Sequence, residues 1–87
     1  MNALTPVQER EIEDVARLTI DNYMTTALDS VALHLPKYTL DQIAAGLSAL
    51  ERRNVLKRLP DHPDVPCPEW RSREHWVFYE RGDSFYG

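Results

Sequence analysis

The sequence has little cysteine, little glycine and no long hydrophobic run, and each shortage narrows what the chain can be. Its single cysteine, Cys67, has no partner for a disulfide within the chain, which favours a reducing compartment. Residues 1–6 contain neither the basic region nor the apolar region of a signal peptide, and no apolar stretch is long enough to span a bilayer. We therefore expect a cytoplasmic protein that does not insert into a membrane.

The composition predicts one folded domain over residues 1–87. With 43% hydrophobic and 28% charged residues, the chain lies within the ordinary globular range. Its net charge of −4 opposes binding to phosphates, but the charge is uneven. Residues 1–35 contain two basic and six acidic residues, a net −4, whereas residues 36–58 contain five basic and two acidic residues, a net +3. A nucleic acid would therefore meet the second region.

Capping signals place the first helix at about residues 6–24. Thr5 and Gln8 have the spacing of a capping box, and Pro6 suits the first helical position. Apolar residues then recur at three- and four-residue steps, which predicts one buried face: Ile12, Val15, Ala16, Thr19, Ile20, Tyr23 and Met24. Thr25 and Thr26 are able to cap a second helix, at about 26–35. The sequence leaves open whether these are two helices or one continuous helix.

A third helix is predicted at 39–53 and a β-hairpin after it. Thr39 and Gln42 repeat the capping-box spacing, and Asn54 suits the left-handed position past a helix end. The apolar residues of this helix follow the helical period: Leu40, Ile43, Ala44, Leu47 and Leu50. β-forming residues predict strands at about 55–59 and 74–80, separated by a proline-rich loop from Pro60 to Glu69. Residues 83–87 are expected to form a frayed tail. The fold class is thus mainly α with a small β-hairpin, an α+β fold.

The segment Leu47-x-x-Leu50-Glu51-Arg52-Arg53-Asn54-Val55-Leu56-Lys57-Arg58 carries a resemblance to a known family. With the element order around it, residues 26–80 resemble winged helix-turn-helix domains of small bacterial and phage regulators, including the MarR and PadR types. Asn54 stands where that pattern usually has glycine. The resemblance implies a sequence-specific DNA-binding transcriptional regulator whose third helix enters the major groove. The chain lacks the long terminal helices through which many such regulators dimerise, so a homodimer stays open.

The candidate contacts with double-stranded DNA lie before, on and after the third helix. They are Lys37, Tyr38, Thr39, Gln42, Ser48, Arg52, Arg53, Lys57, Arg58, Arg71 and Arg73. Gln42 could contact adenine and Arg52 could contact phosphate, whereas Asp41 on the same face would repel phosphate. The alternatives are a winged-helix module for protein–protein interaction, such as a phage-type inhibitor or adaptor, and a solvated surface. The acidic total and Asp41 favour the protein partner.

For residues of the loop and its flank, and for the acidic run, the sequence allows both a ligand contact and a purely structural role. Arg71, Arg73 and His75 would lie beside the DNA backbone or minor groove, unless the arginines pair with Glu69 and Glu74. The aromatic residues form a binding patch or pack in the core, and we expect Trp76 and Phe78 in the core and Trp70 less so. The acidic run at residues 9–14 is either solvated or faces a basic partner.

No metal site, cofactor or enzyme activity is predicted. His62, Cys67 and His75 are residue types that bind metals, but their spacing matches no zinc signature and a fourth ligand is missing. Catalysis by Cys67 would require a base in a pocket, and no spacing ties one to it.

Overall fold

The computed structural model describes residues 4–60 and 66–86, which form an α+β fold of three helices and one antiparallel sheet. The helices are α1 (Pro6–Tyr23), α2 (Leu28–His34) and α3 (Leu40–Arg52). The strands are β1 (Thr25–Ala27), β2 (Leu56–Arg58) and β3 (Phe78–Arg81), and Arg73–His75 forms a 3₁₀ turn. None of the helices in these ranges has the length and apolar character needed to cross a bilayer.

Both predicted capping boxes are present. The Thr5 hydroxyl accepts the Gln8 amide at 3.2 Å, and the Gln8 side chain accepts the Thr5 amide at 2.9 Å. Thr39 and Gln42 repeat the arrangement at 3.1 and 2.8 Å, which confirms the start of α3. Asn54 has the predicted left-handed conformation, with φ of 62°.

Residues 25–27 form a strand, so the prediction that a second helix begins at 26 was wrong. Helix α1 stops at Tyr23, one residue early, because Met24 takes a left-handed φ of 69°. The Thr26 side chain is buried and hydrogen-bonds to the Thr19 hydroxyl, and Thr26 lies opposite Tyr79 in β3. The question left open by the sequence has its answer: α1 and α2 are separate helices.

The sheet has the order β1-β3-β2, so the predicted two-stranded hairpin gains a third strand. Arg58 lies opposite Tyr79 and Leu56 opposite Arg81. The predicted strand at 74–80 begins only at Phe78. Before it, the carbonyl of Val77 accepts the amide of Leu28 at the start of α2, so β1 offers no further residue to pair with.

The core lies between the three helices and the inner face of the sheet. It consists of Ile12, Ala16, Ile20, Leu28, Val31, Ile43, Leu47, Leu50, Val55, Leu56, Val77, Tyr79 and Phe85. Near β3 the core residues are Val77 and Tyr79, whereas Trp76 and Phe78 are only half-buried, contrary to prediction. Phe78 and Tyr79 are neighbours in a strand and so face opposite sides of the sheet, and Trp76 precedes the strand. Tyr23 and Met24 are also mispredicted, since they are 75% and 73% exposed at the end of α1.

The predicted frayed tail is ordered as far as Tyr86, and Gly87 lies outside the described residues. Phe85 is 3% exposed, and its carbonyl accepts a hydrogen bond from the Arg17 guanidinium. The amide of Gly82 donates to Val55 at 2.9 Å and that of Ser84 donates to Asn54 at 2.8 Å. Phe85 is therefore anchored beneath the turn that follows α3.

Candidate nucleic-acid interface

One side of α3 contributes no residue to the hydrophobic core. Its residues recur at three- and four-residue steps, which places them in one row along the helix: Asp41, Ala45, Ser48 and Arg52. Asp41, Ala45 and Arg52 are exposed and Ser48 is half-buried. Small side chains in the middle of this row leave room for a partner to approach the helix closely.

The residues leading into α3 contact α1. Lys37 Nζ lies 2.8 Å from Glu11 Oε2, and the Tyr38 hydroxyl donates to Glu11 Oε1 at 3.2 Å. The hydrogen bond from Lys37 lowers the pKa of Glu11, and the same bond raises the pKa of Lys37. Both predicted DNA contacts thus already have an acidic partner within the chain.

The side chains of Thr39 and Gln42 are used by the capping box. Gln42 Oε1 accepts the Thr39 amide, whereas bidentate contact with adenine requires both the oxygen and the nitrogen of the glutamine amide. Gln42 would have to break this bond to contact adenine, at a cost of about 1 kcal/mol, typical of a lost cap. The structure therefore disfavours Gln42 as a base contact.

Arg53 pairs with a buried acid of α1. Its Nη1 lies 3.1 Å from Glu13 Oε1, and Arg17 Nε lies 2.9 Å from Glu13 Oε2. Burial raises the pKa of Glu13, but the hydrogen bonds from Arg17 and Arg53 together lower it by more. The pKa of Glu13 therefore lies below its ordinary value. Glu13 is 9% exposed and is not the solvated acid expected within residues 9–14. Arg53 therefore links α3 to α1.

Arg58 lies beside α3 on the inner side of the sheet. It faces the buried Tyr79, whose hydroxyl hydrogen-bonds with Ser48. Burial raises the pKa of Tyr79, and the nearby charge of Glu51 raises it further. Arg58 and Ser48 lower it by a smaller amount, so the pKa of Tyr79 lies above its ordinary value. Ser48 thus contacts β3, whereas Arg58 itself is exposed.

Arg52 and Arg58 are the predicted contacts best placed to meet a ligand. Both are exposed, and neither forms an ion pair within residues 4–60 and 66–86. Among the described residues, Lys57 forms a long ion pair, with its Nζ 3.9 Å from Glu80 Oε1. An open cleft of about 390 Å³ beside β2 is lined by Glu51, Asn54, Leu56, Lys57, Arg58, Gly82 and Asp83. Its two acids balance its two bases, so it is not an anion pocket.

Arg71 attaches the loop to the first turn of α2. Its Nη2 lies 2.6 Å from Asp29 Oδ1, so it pairs with neither Glu69 nor Glu74 as the alternative had proposed. In the part of the chain that is described, Arg71 Nε and Asp29 Oδ1 have no well-aligned hydrogen-bond partner, so we interpret the contact as a charge pair. Both side chains are mostly buried, which removes Arg71 from the set available to DNA.

His75 attaches the loop to the first turn of α3. Its Nε2 lies 2.8 Å from Asp41 Oδ1, and its Nδ1 lies 3.1 Å from the Ser72 hydroxyl. Arg73, in the same 3₁₀ turn, is exposed. We call residues 71–75 the docked segment, because its contacts join it to α2 and α3. His75 therefore already has hydrogen-bond partners on α3 and in its own loop, and its predicted place beside DNA stays a prediction.

The residues that could bind a metal together in the structure differ from the set considered in the sequence, His62, Cys67 and His75. His62 lies outside the described residues, and the Cys67 thiol donates to the Arg71 carbonyl at 3.2 Å. Ligand atoms of Asp41, Glu74 and His75 instead lie within 4.8 Å of one another. No local spacing signals this group, because Asp41 belongs to a helix far from the other two residues in sequence.

The aromatic residues of the loop form an edge-to-face row. Ring centroids are 6.4 Å apart for Trp70 and Trp76 and 5.3 Å apart for Trp76 and Phe78. Trp70 is 72% exposed and lies 5.1 Å from the Arg71 guanidinium. The predicted aromatic patch thus has one exposed end, at Trp70.

Comparisons with known proteins gave no match to this chain, whether with family models, with curated proteins or with solved structures.

Proposed function

We propose that the chain is a winged helix-turn-helix domain that binds double-stranded DNA as a transcriptional regulator. The element order supports the winged helix, because a strand lies between α1 and α2 and two strands follow α3. The observation that carries the proposal is the row of α3 that ends at the exposed Arg52, with the exposed Arg58 beside it. In this arrangement α3 enters the major groove, and Ala45 lies closest to the base edges.

The proposed contact set is smaller than the one predicted from the sequence. In this set, Arg52 and Arg58 contact phosphates. Since each neutralised phosphate contributes about −0.9 to the slope of log K against log salt, two contacts give a slope of about −2 per chain. This is a modest electrostatic contribution, in keeping with the acidic net charge.

The proposal is tested by fluorescence anisotropy on a labelled random duplex across a salt series. Arg52→Ala and Arg58→Ala should each weaken binding and reduce the slope by about 1. Arg10→Ala is the matched control: it removes the same charge from an exposed side chain of α1 that pairs with Asp14, and should leave the slope unchanged. Absence of binding at low salt would refute the function, and equal slopes in all three variants would refute the assigned surface.

A second candidate, a protein-binding winged helix, rests on a specific observation. Lys37 and Arg53, two of the five basic residues in 36–58, pair with acids of α1, which reduces the basic surplus of that region. Outside the region, Arg71 pairs with Asp29. The exposed Trp70 suits a protein partner, because aromatic residues concentrate binding energy at interfaces. This candidate predicts no salt-dependent binding in the same titration.

A further inference from the structure

We propose that Asp41, Glu74 and His75 form a binding site for a divalent transition-metal ion of the zinc class. The site joins the first turn of α3 to the docked segment. It does not depend on the DNA-binding proposal, because the ion is held by this chain alone.

The distances suit a shared ion. Zinc lies about 2.0–2.2 Å from imidazole nitrogen and carboxylate oxygen, so two of its tetrahedral ligands are about 3.3 Å apart. His75 Nε2 and Asp41 Oδ1 are 2.8 Å apart, and a carboxylate oxygen of Glu74 lies within 4.8 Å of both. Small rotations of the exposed Asp41 and Glu74 side chains would replace the hydrogen bond by two metal–ligand bonds and bring in the third.

His75 is the oriented member of the set. Its side chain is only 15% exposed, and its Nδ1 is 3.1 Å from the Ser72 hydroxyl. In the tautomer that binds metal through Nε2, Nδ1–H donates to Ser72 Oγ. Such a second hydrogen bond is the usual companion of a histidine ligand, because it fixes the ring and its tautomer. Nε2 is thereby directed toward the two carboxylates.

The donor set indicates the class of ion. One imidazole with two carboxylates suits zinc and its neighbours, whereas Mg²⁺ and Ca²⁺ prefer oxygen ligands throughout. The two carboxylate charges match a divalent cation, and their exposure gives the ion direct access from solvent. Three protein ligands leave the fourth position to water.

The test is isothermal titration calorimetry with ZnCl₂ in the absence of DNA, supported by the visible absorption spectrum of Co²⁺. Wild-type protein should bind one ion per chain, and its melting temperature should rise with zinc concentration. Asp41→Asn, Glu74→Gln and His75→Ala should each remove this binding. Ser72→Ala should weaken it by about 10-fold or more, since it removes the partner of Nδ1.

Matched controls separate this site from other ligands. His34→Ala removes an exposed histidine of α2, and Cys67→Ser removes the only thiol; both should bind zinc as the wild type does. Circular dichroism verifies that each variant is folded, and Glu74→Gln is the decisive variant because Glu74 is exposed. Absence of zinc binding in the wild type, unchanged affinity in folded Glu74→Gln, or loss of binding in Cys67→Ser would each overturn the proposal.

Discussion

Gly46 lies where α3 crosses α1, and the structure predicts that Gly46→Ala destabilises the fold although alanine is the better helix former. A Cβ built on Gly46 would lie 2.6 Å from Ile12 Cδ1 and 3.0 Å from Ile12 Cγ2. Ile12 is fully buried, so it cannot swing into solvent. The added methyl group therefore requires α1 and α3 to shift apart or Ile12 to change rotamer.

Two opposing magnitudes decide the sign. Replacing glycine by alanine in a helix gains about 1 kcal/mol, whereas forcing a methyl group into a packed core costs about 1–3 kcal/mol. Since two atoms of Ile12 fall within 3.0 Å of the new Cβ, we place the cost in the upper part of that range. The net loss should be about 1–2 kcal/mol, which lowers the melting temperature by about 4–16 °C for a domain of this size.

The assay is urea denaturation followed by circular dichroism, run as a double-mutant cycle. Ile12→Val removes Cδ1, the closest atom, and alone should cost about 0.5–1.5 kcal/mol. The double variant should lose less free energy of unfolding than the sum of the two single losses, because removing Cδ1 makes room for the new methyl group. Ala45→Gly, at the exposed neighbouring position, is the control for helix propensity. If Gly46→Ala were as stable as the wild type or more so, the packing argument would be refuted.

Two further predictions concern Glu13 and Phe85. Because its pKa lies below the ordinary value of 4.5, Glu13 stabilises the fold above the pKa it has when unfolded, and this contribution is lost as pH falls through the folded pKa. Glu13→Gln should therefore destabilise the protein at neutral pH and reduce the loss of stability in acid, as measured by urea denaturation at a series of pH values. A variant whose stability falls in acid as steeply as that of the wild type would contradict this. Phe85→Ala should cost about 3–5 kcal/mol, as expected for a buried aromatic residue, and Tyr86→Ala, at an exposed neighbour, should cost little; equal losses in thermal denaturation would show that Phe85 is not a core residue.

The features predicted correctly from the sequence are those decided by neighbouring residues. A capping box involves residues three positions apart, so Thr5 with Gln8 and Thr39 with Gln42 could be recognised without knowing the fold. The left-handed turn at Asn54 is equally local. The apolar period placed Ile43, Leu47 and Leu50 on the buried side of α3.

The features that were missed depend on distant partners. The three residues of β1 are a strand because β3 pairs with them, and in sequence the two threonines equally suit a helix cap. Phe85 and the exposed Tyr86 are adjacent in a short polar segment, and only the turn at Gly82 brings Phe85 under the core. The ion pairs of candidate basic residues with Glu11, Glu13 and Asp29 could not be predicted either, because charge counts do not reveal which side chains are in contact.

The central position of β3 has a consequence for how the chain acquires its structure during translation. Both outer strands, β1 and β2, precede β3 in sequence, and they do not pair with each other. During translation α1, α2 and α3 are therefore synthesised before the central strand with which both outer strands pair. Contacts between residues so far apart close slowly, so sheet assembly should be a late step that awaits emergence of the β3 segment from the exit tunnel.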